Sequence, residues 1–202
     1  MADARQVIEP FGDAAWRLAR PDGVAAAALL ASLRACPGVV DVVVAERHVL
    51  VTFEPASSPD LEPALAAARG ATASPAPPRR HVVRVRYDGE DLAAVAAATG
   101  LSVAGVIDAH VGRDHEVKLI GFLPGFAYLG DLDPRLVLPR RASPRPRVPA
   151  GAVALAGPYT GIYPFASPGG WHLVGTALGF RPFAPETGAA LAVGDLVRFE
   201  PC

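Results

Sequence analysis

Cysteine is scarce in this 202-residue chain, with Cys36 and Cys202 its whole supply. Two thiols cannot build a multi-disulfide framework, and no second pair exists for a cysteine-rich zinc site, so a reducing, cytoplasmic setting is expected. Lysine is scarcer still: Lys118 stands alone among 19 basic residues. No Gly-x-x-x-x-Gly-Lys-Ser/Thr stretch occurs, which excludes a P-loop. Long apolar runs are lacking too. The longest, Val24 to Leu33, is broken by Ser32 and reaches about half the ~20 residues of a membrane-spanning helix. The opening Met1-Ala2-Asp3-Ala4-Arg5 does not have the basic-then-apolar order of a signal peptide. No membrane span is expected.

Acidic residues are missing from one whole segment. No Asp or Glu occurs from Pro134 to Pro185, whereas Arg135, Arg140, Arg141, Arg145, Arg147 and Arg181 do. That stretch reads either as a solvated basic loop packed on the acidic N-terminal half or on a partner, or as an anion-binding site. Planar guanidinium forks suit carboxylate and phosphate. Nucleic acid is not expected as a partner, because the net charge is -1 and no aromatics are interleaved with the arginines. A hydrophobic content of 51% argues against disorder. Glycine (20) and proline (21) together form a fifth of the chain, which argues against an all-helical fold.

The N-terminal part reads as strand, helix, strand, strand, helix. A strand is expected over 14–20, and Asp22 is placed to cap a helix running through Arg34 to the Cys36-Pro37-Gly38 stop. A hairpin follows over 39–45 and 48–53, around Glu46-Arg47. A second helix starts near Ser58-Pro59-Asp60 and sets Leu61, Leu65 and Ala68 on one face. This predicts a first α+β domain over 1–70, a Pro-rich linker over 71–80 and a second domain over 81–202. In the second domain a strand over 81–87 precedes short helices over 91–98 and 103–110. Between them, Thr99-Gly100 ends one helix and Ser102 caps the next. The helix pair has almost no positive charge to offer DNA. Beyond His115, nine prolines between Pro124 and Pro168 forbid a long helix, and strands over 116–121, 152–156, 172–176 and 195–199 suggest a closed or nearly closed β structure.

One set of motifs is specific. Gly121-Phe122-Leu123-Pro124-Gly125-Phe126-Ala127-Tyr128-Leu129 is followed by Pro139-Arg140, Pro144-Arg145, Val148-Pro149-Ala150-Gly151, Thr160-Gly161-Ile162-Tyr163-Pro164 and Ser167-Pro168-Gly169-Gly170-Trp171. With these the chain resembles, over nearly its whole length, the family of the B-type subunit of 5-oxoprolinase, also called the kinase A inhibitor or allophanate hydrolase subunit 1 family. The resemblance implies an α+β protein, with a small N-terminal domain followed by a cyclophilin-like, carboxyltransferase-type β-barrel. It also implies a heteromer, in which a C-type carboxyltransferase-domain protein and an A-type protein join this chain to open 5-oxo-L-proline to glutamate, with ATP and its Mg2+ as co-substrate. Relatives of other kinds inhibit a sensor histidine kinase or form part of urea carboxylase, and those are the alternative functions. The chain departs from the pattern at Gly175-Thr176-Ala177, where Gly-Arg-Thr is usual, and at Tyr159 and Ala152, where Gln and Ser are common. Altered substrate preference or weaker activity is implied, with Arg181 as a spatial substitute for the lost arginine.

Within these motifs, backbone amides from Gly121 to Phe126 are expected to approach a ligand where Gly125 lacks a side chain. Phe122 and Phe126 would wall the pocket around the Pro124 turn, or else serve as core beside a barrel corner. Ser167, Gly169 and Gly170 read either as an anion-binding nest or as a tight turn. Arg140 and Arg145 are assigned to phosphate or carboxylate, with Arg145 helping catalysis, while Thr160 and Tyr163 offer hydroxyls to a small polar substrate such as a lactam. His110 matches a family histidine and is the acid/base candidate; the competing reading is a helix-end histidine satisfied by a carbonyl. His110 and His115 lack a His-Glu-x-x-His spacing, so no metal site is expected.

Overall fold

The computed structural model describes residues 7–71 and 78–202. The chain divides into two compact units, Met1–Pro77 and Pro78–Cys202. The first six residues and most of the expected linker, 72–77, lie outside the described residues.

In the first unit, strands β1 (Ile8–Pro10), β2 (Ala15–Ala19), β3 (Val39–Val44) and β4 (His48–Phe53) form an antiparallel sheet in the order β1-β2-β4-β3. Alternation decides which face is covered. Val49, Val51 and Phe53 of β4 point inward with Val42 and Val44 of β3, and they share the core with Leu29 and Leu33 of α1 (Ala26–Arg34) and Leu65 and Ala68 of α2 (Glu62–Gly70). Asp22 does not cap α1, which starts four residues later at Ala26 with Ala25 in the cap position and no side-chain cap bond. Gly23, at φ +71, turns the chain there instead.

The second unit is a closed barrel. Seven strands follow each other round it in the order β10-β7-β6-β15-β5-β12-β9. They are β5 (Arg80–Arg86), β6 (His115–Ile120), β7 (Ala127–Leu129), β9 (Ala152–Ala156), β10 (Tyr159–Ile162), β12 (His172–Leu178) and β15 (Leu196–Pro201). Between β7 and β9 lies β8 (Arg145–Val148), which pairs with β11 (Ser167–Gly169), and two two-residue strands, β13 (Phe183–Ala184) and β14 (Gly188–Ala189), make a small hairpin. Helices α3 (Leu92–Thr99) and α4 (Val103–Val111) pack against β12 and β15. Gly100 at φ +71 ends α3, and the Ser102 hydroxyl accepts from the Gly105 N–H to start α4, in the manner of a C′ glycine and an N-cap serine. Among the described residues no single helix is long and apolar enough to cross a membrane.

Strand β9 is buried on both sides, and this positions everything that follows. Val153 and Leu155 point into the barrel with Val83, Val85, Leu129, Val174, Val197 and Phe199. Ala152, Ala154 and Ala156 point out of it, into a second cluster formed with Phe126, Val148, Tyr163, Trp171 and Leu173. The period of two thus separates large residues for the core from small ones that leave room for aromatic rings.

Candidate functional site

Those rings line a cleft of about 240 Å³, with Phe122, Phe126, Tyr128, Tyr163 and Trp171 as apolar walls, and Arg140, Pro144, Pro168, Gly169 and Gly170 completing it. Pockets for drug-sized ligands run from roughly 300 to 1,000 Å³, so this one has the size of a small ligand. Phe126 stands edge-on to Tyr163, Trp171 and Tyr128 at 5.1–5.3 Å, the preferred geometry for ring quadrupoles. Gly161 of β10 lets them approach: a Cβ there would lie 3.2 Å from Phe126 and 3.4 Å from Trp171. Gly169 has a parallel role, since any side chain there would collide with the Tyr163 hydroxyl. Burial is the main force pushing the Tyr163 hydroxyl above its ordinary pKa, so it stays a protonated donor. Its oxygen accepts from the Trp171 backbone N–H.

The arginines of the acid-free segment divide sharply. Arg135 pairs with Asp133 at 2.9 Å. Arg141 and Arg145 both reach Oδ1 of Asp91, at 2.8 and 2.7 Å, and Arg145 also meets Glu90 at 2.6 Å. Three of the six arginines of the stretch are thus neutralised by carboxylates that precede it in the chain. Arg140 lines the cleft and has no ion-pair partner among the described residues. It is the guanidinium available to an anionic ligand.

Asp91, which sequence reasoning passed over, organises the cleft from behind. Its carboxylate is buried, and besides the two arginines it accepts the Leu173 N–H at 2.7 Å. Burial alone would raise its pKa; the hydrogen bonds from Arg145 and Leu173, with the charges of Arg145 and Arg141, outweigh it and hold the pKa below the ordinary value. The Arg141 N–H donates to the Gly170 carbonyl and His172 meets the Pro139 carbonyl. The 139–145 loop and the 169–173 segment, two walls of the cleft, are thereby tied together.

The structure corrects several expected roles. His110 is not at the cleft: it is fully buried inside the barrel, stacked on Phe199 at 4.6 Å. The Thr160 hydroxyl spends its single proton on the Ala154 carbonyl (3.1 Å), so at 2.9 Å from His110 Nε2 it accepts. His110 therefore carries its proton on Nε2, and Nδ1 accepts from the Tyr87 hydroxyl at 2.6 Å. Burial first, then His115, keeps His110 neutral well below the ordinary histidine range. A histidine locked in one tautomer away from solvent serves the core, not proton transfer, and Thr160 is part of the same chain.

Arg145 is held by two carboxylates and is absent from the cleft lining, which makes it a positioning residue. The amides of Gly121 and Phe126 are spent within their own loop, on the Phe126 and Leu123 carbonyls. Gly121, Pro124 and Gly125 do not line the cleft, and Gly125 instead makes room for Pro182 and Phe183, each of which a Cβ would meet at 2.6 Å. Ser167 is buried on β11. Thr176 does not line the cleft, donates to Asp88 at 2.9 Å and faces Arg86 across the strand pair, while Arg181 lies exposed beyond β12. The cleft thus gathers Phe122, Phe126, Arg140, Tyr163, Gly169 and Gly170 from the expected set. It adds Tyr128, Pro144, Pro168 and Trp171.

Comparison with known proteins places these features in context. The family profile "Carboxyltransferase domain, subdomain C and D" matches residues 6–188. The chain is similar to the B-type subunit of 5-oxoprolinase from Escherichia coli O157:H7, at 50% identity over 114 residues, which is 56% of this chain and 52% of that protein. It is likewise similar to the B-type 5-oxoprolinase subunit of Bacillus subtilis (strain 168), at 46% identity over 58% of this chain and 50% of that protein. The matched stretch spans about half the length of these curated relatives. The crystal structure of TTHA0988 aligns with a TM-score of 0.78 and 41% identity over 93% of this chain and 40% of that one.

Proposed function

The chain belongs to the carboxyltransferase domain, subdomain C and D, family, and from that premise we propose that it is the B-type subunit of an ATP-dependent 5-oxoprolinase whose cleft binds 5-oxo-L-proline. The observation that carries this reading is the pairing of one unneutralised guanidinium, Arg140, with a closely packed aromatic box. 5-Oxo-L-proline is a small, nearly flat ring with an apolar edge, one carboxylate and one amide oxygen. Arg140 would take the carboxylate as a forked, charge-assisted pair. The rings would cover the methylenes, and the Tyr163 hydroxyl would donate to the lactam oxygen. Exclusion of water by Phe126 and Trp171 strengthens the contact to Tyr163.

The cleft does not suit the nucleotide. A triphosphate carries several negative charges against one free arginine, and the cleft volume is that of a small ligand. Among the described residues no three His, Cys, Asp or Glu side chains gather to hold a metal. In this reading the chain binds and orients the lactam, and ATP with its Mg2+ is handled outside this cleft, with the help of C-type and A-type partners. The names of the relatives, as B-type subunits of 5-oxoprolinase, support the assignment.

The test is reconstitution. The full chain is purified with a C-type and an A-type partner, and glutamate and ADP are measured from 5-oxo-L-proline and ATP. Product that needs all three chains is the expected result. A stable three-chain complex that leaves 5-oxo-L-proline untouched would overturn the reading.

A further inference from the structure

Phe122 occupies a backbone conformation that bulky residues rarely adopt. Its φ is +74, in the left-handed region, where a bulky L-residue is a true outlier and strain collects at ligand sites. Glycine flanks it at Gly121, yet the positive φ falls on the phenylalanine. The other non-glycine residue at positive φ among the described residues is Asp131, a type that tolerates this region. The strain is enforced from both sides: Gly121 N–H bonds the Phe126 carbonyl at 3.1 Å, Phe126 N–H bonds the Leu123 carbonyl at 2.9 Å, and Gly125 is wedged against Pro182 and Phe183. The result is a ring 59% exposed at the cleft. It stands edge-on to Phe126 and Tyr163, at 5.5 and 6.4 Å with interplanar angles of 86° and 87°. Neither neighbour lies parallel to it in a face-to-face stack.

We infer that Phe122 is a stacking platform, held in strain so that its ring face meets a flat ligand whose anionic end sits on Arg140. The ligand class is thus a small carboxylate carried on a flat ring, cyclic or aromatic, rather than an extended one. This inference rests on reading the cleft as the ligand site. It adds a residue that selects for flatness, where the aromatic box alone selects only for size.

The experiment uses the full chain carrying Trp16→Phe, which leaves Trp171 in the cleft wall as the single tryptophan. Its fluorescence is titrated with 5-oxo-L-proline, with benzoate as a flat aromatic carboxylate, and with acetate as a carboxylate too small to stack. Both flat probes are expected to change the emission at concentrations where acetate does not. Phe122→Leu should weaken their binding about five- to tenfold, the value of an aromatic contact, and Phe122→Tyr should restore it. Phe122→Gly should lose binding while unfolding at no lower temperature, because glycine adopts this φ freely. Binding unchanged in Phe122→Leu overturns the platform, as does a clear fall in the unfolding temperature of Phe122→Gly, or the absence of any response to either flat probe. Benzoate bound through Phe122 without 5-oxo-L-proline binding would keep the platform and remove the proposed substrate. 5-Oxo-L-proline bound equally by Phe122→Leu would do the reverse.

Discussion

Replacing Asp91 with asparagine should be among the most damaging single changes in the barrel unit, and its size follows from the contacts. The variant keeps the shape but removes the charge that faces Arg141 and Arg145, leaving a guanidinium 15% exposed without its main acceptor. Removing one partner of a buried pair costs about 3–5 kcal/mol. Arg145 retains Glu90, which is itself mostly exposed, so the low end, about 3 kcal/mol, is expected. For a unit of this size that is a fall of roughly 10 °C in Tm. The pH dependence supplies a second check. Because the folded-state pKa of Asp91 lies below its ordinary 3.8, its stabilisation is complete above that value and disappears as pH falls through the folded pKa. Urea unfolding of parent and Asp91→Asn should therefore differ by a constant amount from pH 7 down to about 4, then converge in stronger acid. A difference under about 1 kcal/mol at pH 7 would refute the clamp, because surface-like ion pairs have that magnitude.

Other outcomes are equally definite. Arg140→Ala should leave Tm nearly unchanged and weaken small carboxylates by about 1.5–3 kcal/mol in a calorimetric titration, the value of a hydrogen bond to a charged group. Arg145→Ala should do the opposite in the first respect and destabilise the unit. His110→Ala should destabilise it by about 3 kcal/mol in urea, through the cavity and the Tyr87 hydroxyl left without its acceptor, with no loss of ligand affinity in the folded fraction. Because burial depresses its folded pKa, the His110 contribution is complete above the ordinary 6.5 and is lost as pH falls below it. The parent chain should therefore lose stability from about pH 6.5 downward, and His110→Ala should lose less.

Much of the fold was legible because alternation and end signals are local. The hairpin over β3 and β4, the Leu61-Leu65-Ala68 face of α2, the Gly100 stop and the Ser102 cap all rest on neighbours within a few residues. Asp22 failed as a cap because an Asp-Gly turn uses the same residue type for another purpose. The short strands β7, β10 and β11 carry Gly, Pro and aromatic residues, chosen for the cleft rather than for strand propensity, so composition hid them. The site was half legible. Phe122, Phe126, Arg140 and Tyr163 lie in motifs whose residue types already suggest a ligand. Asp91 left no signal, since its partners Arg141, Arg145 and Leu173 are 50 to 82 residues away. His110 misled for the converse reason: titration near neutrality is a property of the free imidazole, and burial in a barrel with two hydroxyl partners removes it.

Strand β9 has a consequence for how this protein can change. Its odd-numbered residues fill the barrel and its even-numbered ones back the aromatic wall, so at the even-numbered positions packing and ligand fit vary together. Alanine at 152, 154 and 156 is already nearly the smallest choice. A larger residue there would tilt Phe126, Tyr163 or Trp171 forward and narrow the cleft without touching the ligand. Selection for a smaller or larger substrate therefore has an unequal start: narrowing is one methyl group away on the hidden side of the wall, whereas widening requires the rings themselves to be exchanged.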